Sequence, residues 1–230
     1  MNMSGSINEV VGRFRKPLTQ IMSIVTIFIL LLSTLTVQTG VGYKYVPNYL
    51  RIITLIEIIV VLISFIQCFR FVSFDENFQI NKVLLKRYVK GLTILNVIGT
   101  LTPVYALTNL FYINAVQHFV DLYFYWLVGM ISMTISFLLF IVGVAFMYHS
   151  FPKIDKYMSG KTKSFIGLGI TFTSFLIYIE KVIEYILVPN VGDNKFIILG
   201  SGLLFIMVQV IVYEWIKNYS TFKILILKED

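Results

Sequence analysis

Cysteine occurs once in this chain of 230 residues, at Cys68, which excludes an internal disulfide framework and any multi-cysteine metal or iron–sulfur site. Histidine occurs twice, at His118 and His149; 31 residues of continuous helix would hold them roughly 46 Å apart, so one chain does not bring both to a single metal or haem. Charged residues make up only 13% against 57% hydrophobic, and the mean hydropathy of +0.83 lies outside the composition of water-soluble domains. Also missing are H-E-x-x-H, G-x-S-x-G, a Walker P-loop, C-x-x-C-H and a dinucleotide fingerprint. No catalytic, cofactor-binding or metal-ligating residue is therefore assigned, and the balance leans away from an enzyme.

What the chain has in abundance is long apolar runs. A membrane-crossing helix needs roughly 20 mostly apolar residues, and six stretches reach that length: about 18–39, 49–69, 91–113, 122–148, 165–188 and 196–216. The first exceeds a signal-peptide core and no Ala-x-Ala cleavage site follows it, so it is expected to remain as a span. The pattern predicts an all-α integral membrane protein, a bundle of six transmembrane helices with a short N-terminal interfacial amphipathic helix. Residues 1–17 form the cytoplasmic amphipathic segment, 18–216 the six-span domain and 217–230 a cytoplasmic tail.

The basic residues fall on one side. Arg13, Arg15 and Lys16 precede the first span; Arg70, Lys82, Lys86, Arg87 and Lys90 fill the second loop; Lys153, Lys156, Lys161 and Lys163 fill the fourth; Lys217, Lys223 and Lys228 follow the last. Only Lys44, Arg51 and Lys195 flank the other side, so the positive-inside bias places both termini in the cytoplasm of a cell-membrane protein. Topology and attraction to anionic headgroups account for 15 of the 19 basic residues, and no nucleic-acid partner is expected from the net charge of +7.

Before the first span, Ile7, Val10, Val11 and Phe14 recur at helical spacing, Ser6 and Glu9 stand in capping-box relation, and Pro17 breaks the run. This reads as an amphipathic elbow with its apolar face in the acyl boundary. Ser73-Phe74 with Gly91-Leu92, and Ser150-Phe151 with Gly167-Leu168, open and close the two long loops in parallel, consistent with a duplicated two-span unit or with chance in a Phe- and Leu-rich chain. His118 is expected in an aromatic outer belt with Phe111, Tyr112, Tyr123, Tyr125 and Trp126, and His149 at the inner face.

Ionisable groups inside the hydrocarbon are costly and make a functional hypothesis the default. Glu57 lies about nine residues, or roughly 13 Å, from the outer end of the second span; the fifth carries Glu180, Lys181 and Glu184, with Lys181 about seven residues, or roughly 10 Å, deep. The depths allow a Glu57–Lys181 ion pair, or Glu57 stays protonated, and either would serve helix registration; alternatively the cluster lines a water-accessible cavity in the outer half where Glu57 exchanges a proton or binds a cation, or Glu180 to Glu184 lie higher and are merely interfacial. On the fifth span Gly167, Thr171, Ser174, Tyr178, Lys181 and Tyr185 share one face, which should look inward. Asn96, Gly99 and Pro103 form a stripe on the third span, Gly129, Ser132, Ser136 and Gly143 on the fourth, and Gly202 and Gln209 on the sixth; close helix packing is the favoured reading, with Asn96, Tyr178 and Gln209 as candidate cavity lining. Pro103 frees the carbonyl of Gly99 and should kink its span.

The function class that fits best is a non-enzymatic transport or translocation component, or a membrane-embedded scaffold subunit of a larger complex. Its partners would be the lipid bilayer and other membrane or cytoplasmic subunits, or further copies of itself. A permease subunit of an ATP-driven exporter shares the topology. An intramembrane lipid-acting enzyme would have only His149, Asp155 and Glu214 at the inner face to work with.

Overall fold

The apolar runs fold as helices, the single-segment conformation that satisfies every backbone N–H and C=O without water. The computed structural model describes residues 3–66, 82–191 and 194–227, with the side chains of residues 3–8, 82, 152, 153 and 227 outside the description. Among the described residues there are nine α-helices and no strand: α1 (Met3–Phe14), α2 (Leu18–Thr39), α3 (Asn48–Ile66), α4 (Lys82–Gln117), α5 (Tyr123–Tyr148), α6 (Pro152–Asp155), α7 (Gly160–Ser174), α8 (Leu176–Leu187) and α9 (Phe196–Leu227). Among those residues six stretches are long and apolar enough to cross a membrane: Glu9–Thr39, Asn48–Ile66, Val83–Gln117, Tyr123–Tyr148, Gly160–Leu187 and Phe196–Ile226. Cys68, Arg70, Ser73-Phe74 and Lys228 lie outside the described residues, as do the side chains of Ser6 and Ile7.

α4 is the central post. It packs against α2, α3 and α9, and 67% of its apolar window is buried, against at most 39% for any other span. α5 packs along α7 and α9 on the other side. One core cluster, including Val104, Met133, Phe137, Phe205, Val208 and Trp215, fills the middle and the N-terminal end of the bundle. A second, built on Leu50, Phe111, Tyr112, Trp126 and Val188, closes the opposite end.

Three elements depart from the sequence reading. The apolar face of α1 packs on protein rather than lipid: Val10, Val11 and Phe14 are buried, and Phe14 stacks on Trp215 of α9 with ring centroids 6.2 Å apart. An amphipathic stripe fixes which face is apolar but not what covers it, and here α9 supplies the cover by running on to Leu227, through residues assigned to a tail, with Phe222 and Ile226 buried. The capping box is also displaced, because α1 begins at Met3 and Ser6 lies inside it; Glu9 instead pairs with Arg13 at 2.9 Å, one turn on.

The fifth span is two helices. α7 starts where the Ser159 hydroxyl caps the Thr162 amide at 3.2 Å, and ends at Ser174; α8 resumes at Leu176 without Pro or Gly at the junction. The carbonyls released there find hydroxyls, with Ser174 Oγ donating to Thr171 O and Ser136 Oγ of α5 donating to Ser174 O, each at 2.6 Å. At the other end of the bundle Gly42 takes φ +95°, and Arg51 forks onto the carbonyls of Tyr43 and Lys44 at 2.8 and 3.0 Å, tying the α2–α3 turn down.

Candidate functional site

Glu57 sits in the outward-facing apolar run of α3, whose neighbours Ile56 and Ile58 are exposed, yet it is itself only 3% exposed because its face meets α4. Its Oε1 accepts from Asn109 Nδ2 at 2.6 Å, and Asn109 Oδ1 accepts from Trp126 Nε1 at 2.9 Å. The orientation of that amide is chemically forced, since indole only donates and a carboxylate only accepts. Glu57 Oε2 is buried without a hydrogen-bond partner.

The second group lies one helical turn further along α4. Tyr112 donates to Glu184 Oε1 at 2.5 Å, and Lys181 Nζ donates to Glu184 Oε2 at 2.5 Å and stands 3.7 Å from Glu180 Oε2. Lys181 therefore pairs within its own helix, at i,i+3, and the Glu57–Lys181 pair does not form. Matching distance along the two helices made that pair possible; azimuth decides it, because Glu57 faces Asn109 while Lys181 faces Gly129 of α5, where a Cβ would lie 3.2 Å from Nζ. Fully ionised, the two groups carry three carboxylates and one ammonium, an excess of negative charge that a low-dielectric interior does not accept without a proton or cation. Among the described residues no cluster of three or more His, Cys, Asp or Glu is disposed to ligate a metal.

Of the face expected on the fifth span, Gly167, Thr171, Ser174 and Lys181 are buried and Tyr178 and Tyr185 half-buried, and Glu184, which was not assigned to that face, is buried beside Lys181. Tyr178 donates to Gln209 Oε1 at 2.6 Å, while Gln209 Nε2 is buried without a partner. Asn96 is a structural clamp: it accepts from Thr19 Oγ1 and donates to the carbonyl of Phe14, both at 2.9 Å, so one amide holds the ends of α1 and α2 on α4. Phe111 and Tyr112 are 0% and 1% exposed, and so belong to the core rather than an outer belt, the Tyr112 hydroxyl being committed to Glu184. Asn109 is the residue that sequence reasoning missed and Tyr112 the one it assigned to the belt, and their signal was an amide and a phenol three residues apart on one face of an apolar span.

At the other end of the bundle His149 closes α5. Its Nε2 faces Lys223 Nζ of α9 at 2.7 Å, its Nδ1 lies 3.5 Å from Ser220 Oγ, and its ring stacks on Tyr219. Lys163 of α7 reaches the His149 carbonyl at 3.0 Å and Asp155 of α6 at 2.5 Å. Glu214 is elsewhere, lining a cleft with α1, so the three inner candidates do not form one constellation. Burial first, and then the Lys223 and Lys163 charges, hold the His149 pKa below its ordinary value of 6.5. The neutral ring is the folded form, so its contribution is complete above the ordinary value and is lost as pH falls through the lower folded value. Melting temperature in detergent should therefore fall as pH drops below the ordinary value of 6.5, and Lys223→Met should remove part of that fall. Asp155, whose pKa is lowered chiefly by its bond from Lys163, adds a separate loss at more acidic pH.

A family model described as "Domain of unknown function (DUF5079)" matches residues 8–230, and the chain belongs to that family. No curated protein and no solved structure matches it.

Proposed function

We propose that this member of the DUF5079 family is a non-enzymatic, membrane-embedded component of a transport or translocation system, in which Glu57 takes up and releases a proton or monovalent cation. The observation that carries the proposal is the state of one side chain: a carboxyl 3% exposed among membrane-facing residues, one oxygen held by an amide that Trp126 locks, the other without a partner. Such an oxygen is satisfied by a proton or a cation. The neutralised Lys181–Glu184–Tyr112 group beside it supports the companion reading of a scaffold subunit, because a compensated buried pair registers helices without exchanging anything.

Glu57→Gln tests the first reading. The amide keeps an acceptor for Asn109 and is cheaper to bury than a carboxylate, so stability should hold or rise, while proton or monovalent-cation flux in proteoliposomes, read with a pH dye or an ion-selective probe, should disappear. Absence of flux in the native chain, together with co-purifying membrane subunits after gentle extraction, would select the scaffold reading instead. The proposed orientation puts both termini and the α5–α7 loop in the cytoplasm of a cell-membrane protein, supported by the one-sided distribution of Lys and Arg. Cytoplasmic reporters should be active after Lys156 or Asp230 and inactive near Tyr45, Gln117 or Gly192; one reversed position would overturn it.

A further inference from the structure

The docking of α1 on α9 leaves a cleft of about 480 Å³, lined by Glu9, Gly12, Arg13, Lys16, Glu214 and Asn218. Its volume falls within the roughly 300–1,000 Å³ typical of small-molecule pockets, and its position is set by the spans. Phe196 to Glu214 is 18 residues of α9, or roughly 27 Å of rise, close to the thickness of a bilayer's hydrocarbon core of about 30 Å. On the other wall, Arg13 and Lys16 come just before α2 begins at Leu18. The cleft therefore opens at headgroup level.

Its chemistry is two-signed. Arg13 is engaged by Glu9 at 2.9 Å, whereas Lys16 and Glu214, both exposed, form no salt bridge among the described residues. Asn218, 9% exposed, adds a neutral amide between them. A purely anionic headgroup would bring its charge against Glu214 and Glu9, and a purely cationic one against Arg13 and Lys16. A headgroup bearing both a phosphate and a primary ammonium satisfies each wall, the phosphate at Lys16 and Arg13 and the three N–H donors at Glu214. Below the cleft, Leu203, Met207 and Val210 lie on the same face of α9 as Glu214, at spacings of four, three and four, and are 66%, 61% and 62% exposed. That stripe is a track for an acyl chain hanging from the cleft.

We propose that the α1–α9 cleft is a binding site for an aminophospholipid, with its phosphate at Arg13 and Lys16, its ammonium at Glu214, and an acyl chain along Leu203, Met207 and Val210. The test uses the full chain in mild detergent, stripped of lipid, with melting temperature followed on titration of phosphatidylethanolamine, phosphatidylglycerol or phosphatidylcholine of identical acyl chains, and of free phosphoethanolamine. Phosphatidylethanolamine should bind roughly tenfold or more tightly than phosphatidylglycerol, the worth of one charged hydrogen bond, and free phosphoethanolamine should bind weakly because it lacks the chain. Two variants locate the site. A Cβ at Gly12 meets nothing within 4 Å, so Gly12→Phe should fill the cleft without disturbing the fold and abolish the response. Glu214→Gln, at an exposed position, should bring the two lipids to equal affinity. Equal binding of phosphatidylethanolamine and phosphatidylglycerol by the native chain, an undiminished response in Gly12→Phe, or equal affinity for free phosphoethanolamine would each overturn the proposal.

Discussion

Replacing Lys181 with methionine is expected to destabilise the bundle by about 3–5 kcal/mol, the usual cost of removing one partner from a buried ion pair. The side chain is 3% exposed, its ammonium lies 2.5 Å from Glu184 and 3.7 Å from Glu180, and Glu184 is 4% exposed. Without the ammonium, Glu184 retains only the Tyr112 hydroxyl among the contacts described, in an interior where a carboxylate needs more. The combination of Lys181→Met with Glu184→Gln removes both charges together and should recover much of the loss, because a neutral pair has no ionic desolvation to compensate. Thermal unfolding in detergent, arranged as a double-mutant cycle, should return a coupling of about 0.5–3 kcal/mol, as residues in contact do. The same cycle on Glu57→Gln and Lys181→Met should return none, since those side chains serve different groups. A near-neutral Lys181→Met would mean that water reaches the cluster.

The six spans, the inward face of the fifth and the close-packing stripes were legible because each depends on one helix at a time, through run length and the 3.6-residue period. What was not legible depends on two helices. Glu57 and Lys181 share a depth, and depth can be counted along a sequence, but the direction each faces relative to its neighbours cannot; α4 presents Asn109 to Glu57 and Tyr112 to Glu184, the carboxylate that holds Lys181. The break at Phe175 left no Pro or Gly to find, only the hydroxyls of Thr171 and Ser174, with Ser136 arriving from another helix. For α1 the period identified Val10, Val11 and Phe14 as one face, while the surface covering them came from Trp215, more than 200 positions away in the chain.

The small residues of the fourth span yield the other large effect. Gly143 of α5 and Gly167 of α7 face one another backbone to backbone: a Cβ on Gly143 would lie 2.8 Å from the Gly167 carbonyl oxygen and from the Thr171 nitrogen, and one on Gly167 would lie 2.6 Å from the Gly143 oxygen. Those obstacles are main chain and have no rotamer to adopt, so one of the helices must move. Gly143→Ala and Gly167→Ala should each cost about 1–3 kcal/mol, the range for overpacking a filled interior, and a larger residue at either position should cost more. Gly169 is the control on the same helix, because its Cβ would meet nothing within 4 Å; there alanine should stabilise by roughly 0.5–1 kcal/mol through helix propensity alone. If Gly143→Ala behaved like Gly169→Ala, the close approach of α5 and α7 would be absent in solution. Its displacement should also reach the polar stripe, because the separation of α5 from α7 stretches the Ser136–Ser174 bond at the break and carries α8, with Lys181 and Glu184, away from Gly129. The double alanine variant should do worse than either single one, since each methyl group collides with the other helix's backbone and neither makes room for its counterpart.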